Sequence, residues 1–146
     1  MGKRYSKSID QADNERVYDE APLVVIEETV GFDSFTDGGG TTGTYKLLAG
    51  SIPVQATVLA SAVVDIVGFA SDTTATIEIG DGSDPNRYST GTPSVFTTDT
   101  NGVDVGVVSG VGYHVAAKDI TLTVTGGADF TSIDAGQVTV RVYYLL

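Results

Sequence analysis

Strict alternation between apolar and polar residues recurs along this chain, and it constrains the fold more than any other feature. Residues 120–125 read ITLTVT, residues 137–143 read QVTVRVY, and residues 74–79 read TATIEI. Successive side chains of a β-strand point to opposite faces of the sheet, so each segment predicts a strand with one buried face and one exposed face. No comparably convincing helical pattern occurs. We therefore expect an all-β protein, a sandwich of about eight strands.

Composition and charge exclude several classes of function. The 146-residue chain contains no cysteine and has 19 acidic residues against 8 basic ones, a formal net charge of −11. A surface of this sign repels phosphate backbones, so we expect no nucleic-acid partner. No segment approaches the ~20 apolar residues of a membrane span, so we expect no membrane partner either.

The distribution of charge divides the chain into two parts. Residues 1–43 hold four of the basic and nine of the acidic residues, and they end in the glycine-rich stretch 37–43. Such a stretch buries little surface, which predicts an extended N-terminal arm and linker over 1–43, with one strand near 23–30. Residues 44–146 carry less charge and are punctuated by turn sequences, so we expect them to form the sandwich.

The longest apolar run, residues 54–69, is apolar at both even and odd positions. A strand that is apolar on both faces is covered on both faces, whereas a two-layer domain covers only one. One interpretation is that the second face meets another subunit. Its odd-position residues are Leu59, Val63, Val67 and Phe69. The alternative interpretation is a pair of strands with a kink near Ser61 or Ala62.

The residue types that carry out catalysis do not occur in the sequence contexts typical of an active site. His114 is the only histidine, and its position between Tyr113 and Val115 in a strand-like stretch favours a structural role over that of a general base. No serine lies in a Gly-x-Ser-x-Gly elbow, and no pair of acidic residues is singled out for glycoside cleavage. We expect no enzymatic activity, no catalytic residue and no cofactor. An enzyme with a dispersed acid pair, which would need a cleft, is the alternative.

The loop at residues 80–86 (GDGSDPN) is the segment most like a ligand-binding site. Asp81, Asp84 and Asn86 could offer oxygen ligands to calcium, although the bidentate glutamate and flanking helices of an EF-hand are missing. A tight turn explains the same residues, because glycine accepts positive φ, aspartate bonds its own backbone and proline fixes the exit. We favour the turn and expect no metal.

A further set of turn and strand segments carries a family resemblance. These segments are 31–40 (GFDSFTDGGG), 43–47 (GTYKL), 51–56 (SIPVQA), 76–88 (TIEIGDGSDPNRY), 128–131 (ADFT) and 135–136 (AG). Together they resemble capsid decoration, or cement, proteins of tailed bacteriophages. The similarity spans about residues 23–146 and leaves the preceding arm without a counterpart.

The resemblance implies a jelly-roll-like sandwich that forms homotrimers and binds the major capsid protein on the outer surface of the phage head, after synthesis in the host cytoplasm. It implies a structural role, with no active site to carry over. Arginine and tyrosine are frequent interface anchors, so we expect capsid contacts from the arm. The candidate contact residues are Lys3, Arg4, Tyr5, Arg16 and Tyr18.

A carbohydrate-binding β module of a tail or fibre is the alternative function. Aromatic rings stack on sugar rings, and the chain has seven tyrosines but no tryptophan. This alternative predicts that Tyr88, Tyr113 or Tyr143 is exposed. Because Tyr143 and Tyr144 are adjacent in a strand, their side chains are expected to point to opposite faces.

Overall fold

The computed structural model describes residues 22–89, 91–92, 94–95, 100–107 and 113–146. In these residues the chain forms eight strands and two short 3₁₀ helices, Phe32–Ser34 and Phe130–Ser132. The strands are β1 (Leu23–Gly31), β2 (Thr36–Asp37), β3 (Thr42–Ile52), β4 (Thr57–Ala70), β5 (Ala75–Gly80), β6 (Thr100–Val107), β7 (Lys118–Gly126) and β8 (Ala135–Leu145).

The strands form two four-stranded antiparallel sheets that enclose one core, which confirms the predicted all-β sandwich. The first sheet has the order β1-β8-β4-β6, and the second has the order β2-β3-β7-β5. From β3 to β8, each successive strand lies in the opposite sheet. Two interlocked Greek keys require such crossings, and the jelly-roll winding itself stays a prediction.

The core lies where the alternating pattern predicted it. Ile120, Leu122 and Val124 of β7 are fully buried, while the threonines between them are partly exposed. The alternate apolar residues of β5 and β8, from Ala75 to Ile79 and from Val138 to Tyr144, face the same core. Burying each large aliphatic side chain of this kind stabilises the fold by about 1.5–3 kcal/mol.

Three phenylalanines close one end of this core. The centroid of the Phe35 ring lies 6.0 Å from that of Phe69, edge to face, and 6.1 Å from that of Phe130. Gly43 of β3 permits the approach of Phe130, because a Cβ at that position would lie 2.3 Å from the ring. A larger residue at position 43 would therefore displace the ring.

The long apolar run forms a single strand, β4, whose side chains do not alternate regularly. Val63 and Phe69 are fully buried in the core, so the prediction that they form a subunit interface is wrong. Leu59 and Val67 are 42% and 50% exposed. The reason is that the pairing of β4 with β8 shifts register three times, at residues 58/60, 64/67 and 67/70, and each shift changes which side chains face inward.

Residues Leu23–Gly31 already belong to the sandwich, because β1 pairs with β8 over this whole range. This strand lies where one was expected near 23–30. The predicted boundary between residues 43 and 44 falls inside β3. The glycine-rich stretch reverses the chain between β2 and β3, and the Gly38 N–H donates to the Thr42 carbonyl at 2.9 Å. These glycines therefore serve a hairpin.

Glu28 joins an edge of the first sheet to the second sheet. Its carboxylate accepts hydrogen bonds from the Tyr45 hydroxyl at 2.5 Å and from the backbone N–H groups of Leu48 and Ala49 at 2.7 and 2.6 Å. The hydrogen bond to Glu28, together with burial, raises the pKa of Tyr45 above its ordinary value. The contact holds an irregular part of β3 in place and leaves the Leu48 side chain 80% exposed.

Candidate protein interface

One end of the sandwich brings together four uncharged segments of the chain. Leu23 of β1 pairs with Leu145 of β8, Leu145 pairs with Thr57 of β4, and Thr57 bridges to Tyr113. The four segments that meet here contain no Asp, Glu, Lys or Arg. They are residues 22–25, 53–60, 113–117 and 142–146.

Most of the large exposed hydrophobic side chains of the described residues lie at this end. They are Leu23, Val25, Val54, Leu59, Tyr113, Val115 and Leu146, and we call this surface the apolar end. In the described residues, Leu48 and Val67 are the two that lie elsewhere. Exposed apolar side chains gathered on one surface of a soluble protein mark an interaction site.

The outer face of the first sheet becomes polar with distance from the apolar end. Val25 pairs with Tyr143 in the row next to the end. Two rows of polar pairs follow, first an ion pair between Glu27 and Arg141 and then a hydrogen bond of 2.8 Å between the hydroxyls of Thr29 and Thr139. The apolar surface is therefore bounded along the sheet.

An ion network borders the apolar end at the start of β7. The Asp81 carboxylate is almost completely buried, and one of its oxygens accepts hydrogen bonds of 2.8–2.9 Å from Ser83 and the Asp84 backbone. The other oxygen lies 2.7 Å from Nε of Arg87 and 3.6 Å from Nζ of Lys118. Burial raises the pKa of Asp81, but the hydrogen bonds and Arg87 outweigh burial and lower this pKa to about 2.

This network favours the turn interpretation of the 80–86 loop over the calcium interpretation. Arg87 and Lys118 already neutralise the Asp81 carboxylate that calcium would need. Asn86 donates its backbone N–H to Asp84 at 3.4 Å, as expected for a turn. No group of three or more His, Asp or Glu residues within the described ranges could hold a metal ion.

His114 is buried between the ion network and the apolar end. Its backbone bonds to the residues before β4, with its N–H donating to Ala56 at 3.1 Å and its carbonyl accepting from Gln55 at 2.7 Å. The imidazole lies edge to face with Tyr88, with 5.6 Å between ring centroids. Burial lowers the pKa of His114, and the nearby charges of Arg87 and Lys118 lower it further. The histidine is therefore held neutral and packed, as its sequence context favoured.

The opposite end of the sandwich is acidic. Its loops connect β1 with β3, β4 with β5, and β7 with β8, and residues 31–42, 70–75 and 126–137 contain no Lys or Arg. Five aspartates lie in these loops, and in the part of the chain that the structure describes none of them forms an ion pair. They are Asp33, Asp37, Asp72, Asp129 and Asp134, and we call this surface the acidic end.

Two of the acidic-end aspartates also hold the loops together. Asp72 accepts hydrogen bonds from the backbone of Thr73 and, at 2.9 Å, of Ala128, and Asp129 accepts from Thr131 at 3.0 Å. These hydrogen bonds lower the pKa of Asp72 and of Asp129. Both carboxylates consequently stay charged well into the acidic range.

The other residues singled out in the sequence have separate locations. The five candidate capsid contacts, Lys3, Arg4, Tyr5, Arg16 and Tyr18, lie outside the described residues. Tyr113 is 48% exposed at the apolar end, Tyr143 is half-buried on the outer face, and Tyr144 packs inward. Tyr88 is completely buried, so it cannot stack on a sugar.

Sequence reasoning missed the apolar end, because its four segments lie far apart along the chain. The absence of charge in residues 22–25, 53–60, 113–117 and 142–146 was a readable signal. That signal gains meaning only when pairing brings the four segments to one surface.

The described residues contain no helix long and apolar enough to cross a membrane.

Comparison with known proteins identifies a similar fold. No protein-family model matches the chain, and no curated protein sequence matches it. Among solved structures, the chain is similar to one from the capsid asymmetric unit of cyanophage Pam1, with a TM-score of 0.57 and 18% sequence identity. The alignment covers 92% of this chain and 95% of the cyanophage chain. At this identity the similarity shows a shared β-sandwich fold.

Proposed function

We propose that this protein is a structural component of a phage virion, a decoration protein that binds the outside of the head and stabilises contacts between major capsid subunits. The observation that supports it best is the fold similarity to a chain from a phage capsid asymmetric unit. Because nearly all of each chain is aligned, the two chains have similar lengths, so the similarity is to a small capsid component.

The distribution of surface chemistry supports a binding role. The protein combines a packed core with one surface of exposed aliphatic side chains and one of unpaired aspartates. An enzyme with two facing carboxylates would need a cleft between them, whereas the acidic-end aspartates lie in surface loops. We propose that the protein is not an enzyme and acts without a cofactor.

The mechanism we propose is the addition of buried interface between neighbouring shell subunits. A protein that binds only the closed shell stabilises it in proportion to its binding free energy. Repetition of the same contact by the symmetry of the shell increases the effect through effective concentration. The basic and aromatic residues of the arm, Lys3, Arg4, Tyr5, Arg16 and Tyr18, would add further contacts to the major capsid protein.

We also propose that the protein self-associates as a homotrimer. The outer face of β4 supports this part of the proposal, because Val67 is 50% exposed and the outward Ala62 and Val64 are only partly covered. These three side chains are apolar, so burying them against a second copy would stabilise the association. Analytical ultracentrifugation of the wild-type protein and of Val67→Asp measures this association, and a trimeric mass that Val67→Asp reduces is the expected result.

The decisive experiment mixes purified protein with empty shells assembled from the major capsid protein encoded in the same genome. We expect the protein to co-sediment with the shells at a fixed stoichiometry, to appear as added density on their outer surface by electron microscopy, and to raise their melting temperature. Failure to bind intact shells, or density confined to tails, would contradict the proposal. The same mixture tests the arm, because deletion of residues 1–20 should weaken binding.

Carbohydrate binding is the second candidate function, and the exposure of Tyr113 favours it. This ring is 48% exposed at the apolar end, and Tyr143 is half-buried on the neighbouring outer face. Binding to a bacterial surface-glycan array, lost in Tyr113→Ala, is the result that this candidate requires. An array without binding excludes the glycans tested.

A further inference from the structure

We infer that the apolar end is the surface that seats against the protein shell, with the acidic end pointing away from it. This inference rests on the proposed function and adds the orientation of the molecule and the residues of its contact. The bound partner would be an uncharged, apolar patch on the outer surface of the shell, shaped to receive Val115, Val54 and Leu23.

The first argument is the segregation of surface chemistry. In the part of the chain that the structure describes, seven of the nine large exposed hydrophobic side chains lie at the apolar end, and the four segments that form it have no charged side chain in a chain of net charge −11. The unpaired aspartates lie at the opposite end. Burying the apolar end in an interface releases water from aliphatic side chains and desolvates no charged side chain, whereas burying the acidic end would desolvate five carboxylates.

The second argument is the rigidity of the apolar end. Backbone hydrogen bonds join Gln55 and Ala56 to His114, and the His114 ring packs on Tyr88 behind this surface. At its border, the charges of Asp81 and Asp84 are balanced by those of Arg87 and Lys118. A surface that is already ordered loses little conformational entropy when it binds, which favours affinity.

The third argument is the point at which residues 1–21 join the described part of the chain. Residues 1–21 precede Pro22 and join the body at Leu23, within the apolar end. Residues 1–7 hold three basic residues and no acidic one. A chain of this length spans at most about 70 Å when fully extended, so it can reach shell residues well beyond the footprint of the body. Arm and body then engage the same partner.

The same point favours the shell over a second copy of this chain. Contact between two apolar ends would be isologous, so it would bring two copies of residue Leu23 together and crowd both N-terminal segments into the interface. The shell is free of this constraint.

The test compares two aspartate substitutions at equally exposed apolar positions. Val115 is 82% exposed at the apolar end, and Leu48 is 80% exposed on β3 of the other sheet, which makes Leu48→Asp a matched control for Val115→Asp. We expect Val115→Asp to weaken binding to empty shells by about tenfold or more, because the interface would bury an unpaired charge. Leu48→Asp should bind like the wild-type protein. Circular dichroism checks that both variants are folded.

Thiol protection supplies a second measurement that does not depend on affinity. The natural chain has no cysteine, so Val115→Cys and Asp134→Cys each introduce a single thiol, one at each end. We expect maleimide to label both thiols in the free protein, and to label only the Asp134→Cys thiol once the protein is bound to shells. Protection of the Asp134→Cys thiol instead would overturn the inferred orientation.

The outcomes separate this inference from the function on which it rests. If the wild-type protein does not bind shells, the proposed function fails and the inference falls with it. If the wild-type protein binds and Val115→Asp binds equally well, or Leu48→Asp loses binding to the same degree, the inference alone is overturned. A loss of self-association mass in Val115→Asp would assign the apolar end to a second copy and would also overturn it.

Discussion

At the scale of single residues, two buried polar side chains, Tyr88 and His114, are kept in their neutral form. Among the residues that the structure describes, Oη of Tyr88 and Nε2 of His114 are the two buried side-chain polar atoms without a hydrogen-bond partner. Burial raises the pKa of Tyr88, and burial with Arg87 and Lys118 lowers the pKa of His114. Both groups are therefore neutral near pH 7, which reduces the cost of burying them.

The neutral state of His114 predicts an acid-sensitive stability. Because the folded protein lowers the pKa of His114 below its ordinary value of about 6.5, the unfolded chain binds more protons as the pH falls through this region. The free energy of unfolding should therefore decrease from pH 7 to pH 5. We expect the melting temperature of His114→Phe, which keeps a ring against Tyr88, to decrease less over this interval. Equal pH dependence of the two proteins, measured by calorimetry, would contradict the assignment.

The buried ion pairs of Asp81 predict a loss of stability when its negative charge is removed. Asp81→Asn keeps an oxygen acceptor but removes the negative charge that faces Arg87 and Lys118, so it should lower the free energy of unfolding by about 2 kcal/mol. Asp84→Asn is the matched control: its side chain is 40% exposed, and a change within about 0.5 kcal/mol is expected. Urea denaturation at pH 7 measures both variants, and equal effects would contradict the role of burial.

The Asp81 contribution also has a defined pH range. Its pKa is about 2 in the folded protein, below the ordinary value of 3.8, so its stabilising effect is complete above about pH 4. The effect is lost as the pH falls from there towards 2. This range lies below that of His114, so the two contributions can be measured separately.

At the scale of the secondary-structure element, β4 shows how bulges redistribute side chains between faces. A regular strand would place the side chains of Val63 and Val67 on one face, because the two positions are four apart and side chains alternate between the faces. The register shift between Val64 and Val67, where Asp65 has a φ of 49°, breaks this rule, so Val63 is buried and Val67 is exposed. A bulge of this kind lets one strand place apolar side chains both in the core and on an outer surface.

The two faces of β4 predict unequal effects of substitution. Phe69 is completely buried and packs against Phe35, so Phe69→Ala should lower the free energy of unfolding by about 3–5 kcal/mol. Val67→Ala, on the outer face, should change it by less than about 0.5 kcal/mol in the dissociated protein. Chemical denaturation at low protein concentration gives both values. Comparable losses would show that the bulges do not separate the faces as described.

At the scale of the whole molecule, the acidic end and the apolar end lie at opposite ends of the sandwich. The acidic end has no basic residue in its three loops, so its aspartates repel one another without local compensation. Such self-repulsion destabilises the compact state.

This polarity predicts a dependence of stability on salt. Raising the ionic strength from about 0.01 M to about 0.15 M shortens the Debye length from about 30 Å to about 8 Å and screens the repulsion. We expect the melting temperature of the wild-type protein to rise by a few degrees over this range. The double variant Asp33→Asn with Asp134→Asn should show a smaller rise. A melting temperature that falls with salt in both proteins would indicate that ion pairs dominate instead.

Local pattern alone was enough to predict the fold class and several strands. The alternation at 74–79, 120–125 and 137–143 predicted β5, β7 and β8 with the correct buried faces, because side-chain direction in an uninterrupted strand depends only on position along it. The burial of Tyr88 escaped prediction. Its segment is polar, and Tyr88 is held in the core by residues distant in sequence: the Ser61 hydroxyl donates to its backbone carbonyl, and its ring packs against His114.

The amino-acid order was thus sufficient for what repeats every two residues, namely the strands of an all-β chain, and for the local turn at residues 80–86. The three-dimensional pairing was needed for every feature that depends on contact between distant segments. These features are the choice of which β4 side chains face inward after each bulge, the packing of Tyr88 against His114, and the assembly of four segments without charged side chains into one surface. The physical reason is range. Backbone geometry acts between neighbours, whereas burial and electrostatics act between whichever residues the sheets bring together.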